Sequence, residues 1–401
     1  ATGVWSTAVG GFSQATGACS TASGYKSCAI ANNTTALGYF ACATVTDSTA
    51  VGRNALATNT ASSAFGYHSC AAGAQSTASG YKSCATACQS TAVGHTSCAT
   101  DACSTAIGWT SKSTALYATS LGLLALASGA HSLSLGNYSC ATGGQSTASG
   151  YKSCATASHS SAFGWEAKAL GECSTVVGKS SCATVAYASV FGLGAIVSGS
   201  QGTSVGKGTL ASGSFSAAFG YASQATGTLS TASGVYSCAT GEKSSALAYY
   251  SCATGACSWA SGYAAKATGL ESSASGYKAT ASGSNSTASG HYSSATAIKT
   301  AAFGVYVTAS GCYSNAFGYH SCTGTAAGGK YATALGFRSC AIAQASTASG
   351  YHTCATANYS SAFGTIAKAT GTYATAFGAM SCATGANSSA FGYLNRATGT
   401  R

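Results

Sequence analysis

Cysteine is the residue type in this sequence with the most reactive side chain. Twenty cysteines occur in 401 residues, and most of them recur at multiples of fourteen residues. Where this recurring position lacks cysteine, lysine is a frequent replacement (Lys112, Lys168, Lys266, Lys368). The candidates for disulfides or for a ladder of packed thiols are Cys28, Cys42, Cys70, Cys84, Cys98, Cys140, Cys154, Cys238, Cys252, Cys340 and Cys354.

Two interpretations of this cysteine ladder stay open. The thiols can act as small, fairly apolar fillers at a contact between chains. They can also form disulfides, between chains or between successive repeats such as those of Cys70, Cys84 and Cys98. We expect no metal site, because the sequence contains no Cys-x-x-Cys pair and a straight ladder does not form a tetrahedron.

A second candidate surface combines tyrosine with lysine. The pairs that recur at one position are Tyr25 and Lys26, Tyr81 and Lys82, Tyr151 and Lys152, and Tyr277 and Lys278. The chain has 17 Lys and Arg against 6 Asp and Glu, a net charge of +11. A basic, aromatic ridge of this kind can bind a host surface, a matrix or an acidic glycan by charge and stacking.

The alternative for this ridge is structural. Tyrosines can pack over turns or against a neighbouring chain, while lysines keep the surface soluble. We find no motif of a specific nucleic-acid-binding module.

Catalytic constellations are absent from the pattern. The six acidic residues are spread along the chain and show no paired carboxylates for acid–base work; they are Asp47, Asp101, Glu166, Glu172, Glu242 and Glu271. The seven histidines are scattered in the same way, and the glycines form no phosphate-binding loop. We therefore predict a protein that is not an enzyme, with no catalytic residues and no cofactor.

The element that must position all these residues is a short repeat. Glycine recurs every fourteen residues from Gly10 to Gly318, with Ala248 as the one substitution, and resumes at Gly336 after four extra residues. A typical repeat spans residues 76–89, and we number its positions from one at Ser76 to fourteen at Gln89. Frequent glycine and a seam of alanine and serine argue against a coiled coil.

Alternation within each half of the repeat predicts two short strands and two tight turns. Positions three and ten are nearly always alanine, as the inside of a very narrow tube requires. We expect glycine at positions five and twelve to supply positive φ in the turns. The fold class is therefore all-β, a parallel β-roll or β-solenoid of about 28 coils, and the absence of proline agrees with it.

Position four faces outward and is mostly apolar. Its phenylalanines, which we take as candidates for contacts between chains, are Phe65, Phe163, Phe191, Phe219, Phe303, Phe317, Phe363, Phe377 and Phe391. So long an apolar stripe is too large to leave in water, and lateral self-association would cover it. The alternative is that the stripe lines one edge of the coil.

The string from Ser62 to Gly73 resembles the head repeat of trimeric autotransporter adhesins, the YadA-like family. The strings 48–52, 104–108 and 388–392 are similar to it as well. The resemblance covers essentially the whole chain and implies a left-handed parallel β-roll, three chains side by side, and display on a cell surface as an adhesive fibre or filament. Similar repeats occur in phage and viral fibres, so a host-recognition fibre on a virion is the first alternative function.

Threonine columns suggest a second alternative. Threonine dominates positions two and eleven, and regular threonine ladders are typical of some ice-binding solenoids. However, each column shares its strand with other residue types, and threonine suits strands in general. Ice binding therefore ranks below the adhesive fibre.

No linker divides the sequence, so we predict a single repeat domain over residues 1–401. The four extra residues predict an irregular coil around residues 319–335, which is the favoured place for a local contact. No stretch is long enough to cross a membrane. Because we see no signal peptide, stalk or anchoring barrel, we expect either a fragment of an adhesin or a fibre of another kind.

Overall fold

The computed structural model describes residues 1–325 and 328–400. The chain forms two compact units, Ala1–Val197 and Ser198–Arg401. Each unit is a parallel β-solenoid, and the chain has about 28 turns with two strands per coil, which confirms the predicted fold class. The prediction of one domain over residues 1–401 stays a prediction.

In the first unit, each coil contributes a three-residue first strand and a two-residue second strand. The first strands are Thr7–Val9, Thr21–Ser23, Thr35–Leu37, Thr49–Val51, Ser63–Phe65, Thr77–Ser79, Thr91–Val93, Thr105–Ile107, Thr119–Leu121, Leu133–Leu135, Thr147–Ser149, Ser161–Phe163, Thr175–Val177 and Ser189–Phe191. The second strands are Gln14–Ala15, Cys28–Ala29, Cys42–Ala43, Leu56–Ala57, Cys70–Ala71, Cys84–Ala85, Cys98–Ala99, Lys112–Ser113, Leu126–Ala127, Cys140–Ala141, Cys154–Ala155, Lys168–Ala169, Cys182–Ala183 and Ile196–Val197.

The second unit repeats this scheme, and five of its first strands extend to five residues. The first strands are Thr203–Val205, Ala217–Phe219, Thr231–Ser233, Ser245–Leu247, Trp259–Ser261, Ser273–Ser275, Thr287–Ser289, Ala301–Val305, Asn315–Tyr319, Thr333–Phe337, Thr347–Tyr351, Ser361–Thr365, Thr375–Phe377 and Ser389–Phe391. The second strands are Leu210–Ala211, Gln224–Ala225, Cys238–Ala239, Cys252–Ala253, Lys266–Ala267, Thr280–Ala281, Ser294–Ala295, Thr308–Ala309, Cys322–Thr323, Cys340–Ala341, Cys354–Ala355, Lys368–Ala369, Cys382–Ala383 and Arg396–Ala397.

Strands of the same kind stack in register. Within a unit, first strands pair in parallel with first strands, so that Thr77 lies beside Thr91 and Ala78 beside Ala92. Second strands pair in the same way, with Cys84 beside Cys98. Each position of the repeat therefore forms a straight column, and one column displays one chemistry on one face.

The core is built from four small columns. Alanines at positions three and ten, such as Ala78 and Ala85, are fully buried. The serines at positions one and eight are buried as well, and many donate a hydrogen bond to the carbonyl oxygen three residues earlier, as Ser90 Oγ does to Ala87 O at 2.7 Å. These bonds offset the cost of removing the hydroxyl groups from water and tie each turn to the core.

The turns only partly follow the sequence prediction. Glycine at position five has positive φ, as predicted, with Gly164 at +127°. Its one replacement, Ala248, keeps a positive φ of 111°. At position twelve the prediction is wrong, because Gly17 does not adopt positive φ. The left-handed conformation falls instead on positions seven and fourteen, which are mostly not glycine.

Hydrogen bonds between coils hold these left-handed residues in place. The backbone N–H of Lys82, at position seven with a φ of 49°, donates to Tyr67 O at 2.8 Å. The same bond joins Lys26 to the carbonyl of Gly11 at 2.9 Å. Because the ladder continues through the turn, its bonds offset the strain of a non-glycine residue in this region.

The predicted irregular coil lies where the four extra residues enter, and its residues Ala326 and Ala327 lie outside the described residues. On its flank, the buried Thr323 replaces the usual alanine of position ten, and its Oγ1 lies 2.7 Å from Ser314 Oγ. Register resumes at once, because Cys322 pairs with Cys340 across the insertion. No helix that is long and apolar enough to span a membrane occurs in residues 1–325 and 328–400.

Candidate binding surfaces

The apolar column at position four lies on the outer face of the first strands. Five of its predicted phenylalanines, Phe65, Phe163, Phe191, Phe219 and Phe303, are about two-fifths exposed. Phe377 and Phe391 are more exposed, at 55% and 58%, whereas Phe317 and Phe363 are half-buried. The column is thus an apolar surface on the single chain.

Neighbouring rings of this column touch each other. Phe303 and Phe317 stack with ring centroids 5.2 Å apart and planes only 2° from parallel. Phe377 lies between Phe363 and Phe391, with centroid distances of 6.2 and 6.3 Å. Stacking covers part of each ring and leaves the outer edges of the rings available to a partner.

The cysteine column at position nine lies on the outer face of the second strands. Its thiols are half-buried, and most are free. In-register neighbours are Cys28 with Cys42, Cys70 with Cys84, Cys84 with Cys98, Cys140 with Cys154, Cys238 with Cys252, and Cys340 with Cys354. The structure therefore brings the predicted cysteines together as pairs or runs.

One disulfide is present in the described residues, and it joins Cys322 to Cys340 across the insertion. Their Cα atoms are 4.9 Å apart, the spacing of adjacent rungs. The other ladder cysteines are free thiols, so disulfide or filler remains a prediction for them.

Lysine occupies the rung that follows several runs of cysteine, an order that the sequence analysis did not predict. Lys112 follows Cys98, Lys168 follows Cys154, Lys266 follows Cys252 and Lys368 follows Cys354. The signal was present in the sequence as Cys, Cys and Lys at successive intervals of fourteen residues. Each lysine places a positive charge beside a thiol.

Electrostatics divide the thiols into two kinds. A hydrogen bond from the Cys238 thiol lowers the pKa of Cys252 to about 6, and the positive charge of Lys266 acts in the same direction. The equivalent contacts from Cys140 and Lys168 lower the pKa of Cys154 to about 7. By contrast, burial, followed by the influence of Cys28, raises the pKa of Cys42 to about 11.

The tyrosine–lysine ridge follows positions six and seven, at the turn after the first strand. All four predicted pairs form an internal cation–π contact, with each lysine Nζ 5.2–5.5 Å from the centre of the preceding tyrosine ring. The pairs are Tyr25–Lys26, Tyr81–Lys82, Tyr151–Lys152 and Tyr277–Lys278. The lysines therefore lie against the aromatic surface and remain exposed to solvent.

Rings at position six also stack from coil to coil. In the second unit, Tyr263 lies between Tyr249 and Tyr277, with centroid distances of 5.2 and 5.0 Å, and His291 continues the stack at 4.9 Å. In the first unit, Tyr67 and Tyr81 stack at 5.3 Å. The ridge is a set of continuous aromatic stacks, because an in-register turn repeats the same ring position.

A second aromatic stack at position seven was missed by the sequence reasoning. Tyr292 and Tyr306 stack at 5.2 Å, and His320 follows Tyr306 at 4.9 Å. Lys278 Nζ donates a hydrogen bond to Tyr292 Oη at 3.0 Å, which raises the pKa of Lys278 and lowers the pKa of Tyr292. The recurrence of tyrosine at this position was the available signal.

Ionic groups elsewhere are sparse. Within residues 1–325 and 328–400 the one ion pair is Lys243 with Glu242, at 3.3 Å on the surface.

Two further surface features lie outside the columns. Ligand-type atoms of His159, Glu172 and Cys173 lie within 4.8 Å of one another, and all three side chains are exposed. A groove of about 580 Å³ beside the insertion is lined by Ile298, Cys312 and neighbouring small residues.

Comparison with known families gives one match. The model described as the YadA head domain repeat (2 copies) matches residues 1–27, 16–41, 29–55, 43–69, 104–125, 127–153, 141–167, 155–181, 211–237, 225–247, 267–293, 355–379 and 383–401. These overlapping matches together cover more than half of the chain. No curated protein shows significant similarity to it.

Proposed function

The chain belongs to the YadA head repeat family, and from that membership we propose that it is an extracellular structural and adhesive fibre segment that works as a homotrimer. The family is one of surface-exposed structural adhesins rather than of enzymes. Three chains pack side by side through the apolar column, and the tyrosine–lysine ridge contacts an acidic glycan or matrix.

The observation that carries the self-association is the exposure of the apolar column. Phenylalanines about two-fifths exposed line one face along the coils, while the core of the coil consists mainly of alanine and serine. Burying apolar surface yields roughly 25 cal/mol per Å², so covering one column along many coils stabilises an assembly considerably. Cyclic symmetry closes such an assembly without leaving an apolar face in water.

Assembly is tested by the mass of the pure, full chain in solution. Sedimentation equilibrium is expected to give three times the mass of the 38.7 kDa chain. The weight average is expected to hold on dilution through the micromolar range. A stable monomer at these concentrations contradicts the proposed assembly.

The observation that supports adhesion is the set of exposed lysines held against stacked tyrosines. Each contact places a cation and a ring at the same surface point, which suits sulfated or carboxylated sugars. We expect the chain to bind dextran sulfate and not neutral dextran, with affinity falling as salt screens the charges.

A charge-matched pair of variants tests the ridge. One triple variant carries Lys82→Gln, Lys152→Gln and Lys278→Gln, and its control carries Lys112→Gln, Lys168→Gln and Lys266→Gln on the cysteine face. Both lose the same net charge. The ridge variant is expected to bind dextran sulfate at least tenfold more weakly than its control, and equal losses contradict a ridge-specific surface.

A further inference from the structure

The cysteine column arranges free thiols in pairs with a lysine on the next rung. Cys140 lies beside Cys154, which lies beside Lys168. Cys238, Cys252 and Lys266 repeat this order in the other unit. We call these sets Cys–Cys–Lys triplets, and residues Cys84, Cys98 and Lys112 form a third one. The recurrence of the order indicates a built site.

The spacing of the rungs admits two bridges between such thiols. Adjacent parallel strands are ~4.8 Å apart. One bridge is a disulfide, which Cys322 and Cys340 form with Cα atoms 4.9 Å apart and with no lysine on either flanking rung. Two metal–sulfur bonds of ~2.3 Å in a straight line span about 4.6 Å, close to the rung spacing.

We propose that each Cys–Cys–Lys triplet is a site for a soft monovalent cation, Cu⁺ or Ag⁺, held linearly between two thiolates. Soft thiolate ligands favour Cu⁺ over harder ions. Two parallel ligands do not provide the four tetrahedral positions that Zn²⁺ prefers. The site therefore takes a cation that needs only two ligands.

Charge balance explains the lysine. A monovalent cation with two thiolates carries one net negative charge, and the adjacent ammonium group compensates it. Binding as two thiolates displaces the thiol protons, which pass to solvent.

The thiols of the triplets are accessible to an ion from solvent. The thiols of the column are half-buried on the outer face of the second strands, so an ion reaches them from solvent without opening the core. This face is not the one that carries the apolar column, and the inference does not depend on the proposed assembly or on glycan binding.

The test uses the full chain, reduced and then titrated with Ag⁺ in chloride-free buffer, with bound ions counted by native mass spectrometry. Cys252→Ser removes one member of a triplet and is expected to lose one tightly bound Ag⁺. Its control is Cys382→Ser, since Cys382 lies between Lys368 and Arg396 and has no thiol on an adjacent rung. The control is expected to lose none.

A second variant tests the role of the lysine. Lys266→Gln is expected to keep the number of bound ions and to weaken the site at Cys238 and Cys252 by about tenfold. Lys243→Gln, which removes an exposed lysine outside the column, is expected to leave the affinity unchanged.

X-ray absorption of the Ag⁺-loaded chain checks the geometry and is expected to show two sulfur ligands per silver. Equal Ag⁺ losses in Cys252→Ser and Cys382→Ser would overturn the proposal, because the thiols would then act independently. A silver shell of three or four sulfurs would overturn it as well.

Discussion

The faces of the first and second strands share one core but present different chemistry to solvent. Inside, both contribute the same buried small residues, such as Ala78 and Ala85. Outside, the first strands carry the apolar column, and the second strands carry cysteines and lysines. The core residues thus determine the shape of the coil, while the residues of each outward column can vary without disturbing that shape.

The largest expected effect is on assembly, because only substitutions in the apolar column should change the mass of the protein in solution. Phe363→Glu combined with Phe377→Glu places charges in the apolar column, and we expect the proposed homotrimer to dissociate to monomers because each buried, unpaired carboxylate costs several kcal/mol. Lys368→Glu, on the opposite face of the same coil, is the control and should leave the mass unchanged. Sedimentation of both variants measures the difference, and a trimer that persists in the double variant refutes the assignment of the interface.

Two thiols of the cysteine face, Cys252 and Cys42, should differ in reactivity. Because the pKa of Cys252 is about 6 and that of Cys42 about 11, Cys252 is mostly thiolate at pH 7 and Cys42 is almost entirely thiol. Thiolate is the reactive form, so iodoacetamide should modify Cys252 at least ~10-fold faster at this pH. The modification rate of Cys252 should fall as pH drops below 6, whereas that of Cys42 should rise up to pH 11. Peptide mass spectrometry follows both sites, and equal rates at pH 7 would contradict the lowering of the Cys252 pKa by the hydrogen bond from Cys238 and by Lys266.

A substitution in the core should affect both faces at once. Ala106→Leu adds volume to a fully buried column, and overpacking is expected to cost ~1–3 kcal/mol in the free energy of unfolding. Ile107→Leu, the neighbouring outward residue, is the control and should change it by less than ~0.5 kcal/mol. Urea titration followed by circular dichroism compares them. Similar midpoints for the two variants would mean that the tube tolerates larger residues than its alanine columns indicate.

The smallest expected effect concerns the buried serines. Ser174 Oγ donates to Gly171 O at 2.6 Å, whereas the equivalent Ser146 Oγ has no partner. Ser174→Ala should therefore cost ~1 kcal/mol, and Ser146→Ala should be neutral or slightly stabilising. Thermal unfolding of the two variants measures the contrast, and the reverse order would show that these bonds do not hold the turns.

Much of this architecture was predictable because a fixed period leaves few choices. Positions three and ten of nearly every repeat hold a small residue, which fits only the inside of a narrow tube. The burial of Ala78 and Ala85 was therefore predictable from the spacing. The outward direction of Cys84 and Phe65 followed from the same alternation.

The turns and the side-chain contacts were harder to predict. Lys82 adopts a left-handed φ of 49° because coil-to-coil hydrogen bonds hold it there, and local preference would have placed glycine at such a position. The contact of each lysine with its neighbouring tyrosine depends on that backbone conformation. The pKa and the pairing of each thiol depend on the residue at the same position of the next coil. A single repeat does not contain that residue.

In-register stacking has a mechanical consequence. Since a coil is bonded only to its immediate neighbours, tension applied to the two ends of the chain would peel coils away one at a time. A released coil of fourteen residues extends to ~46–50 Å in place of a ~4.8 Å rung, so each event lengthens the tether by ~41–45 Å. A fibre segment of this kind would yield in small, equal steps under load and would absorb a sudden pull without losing its remaining coils.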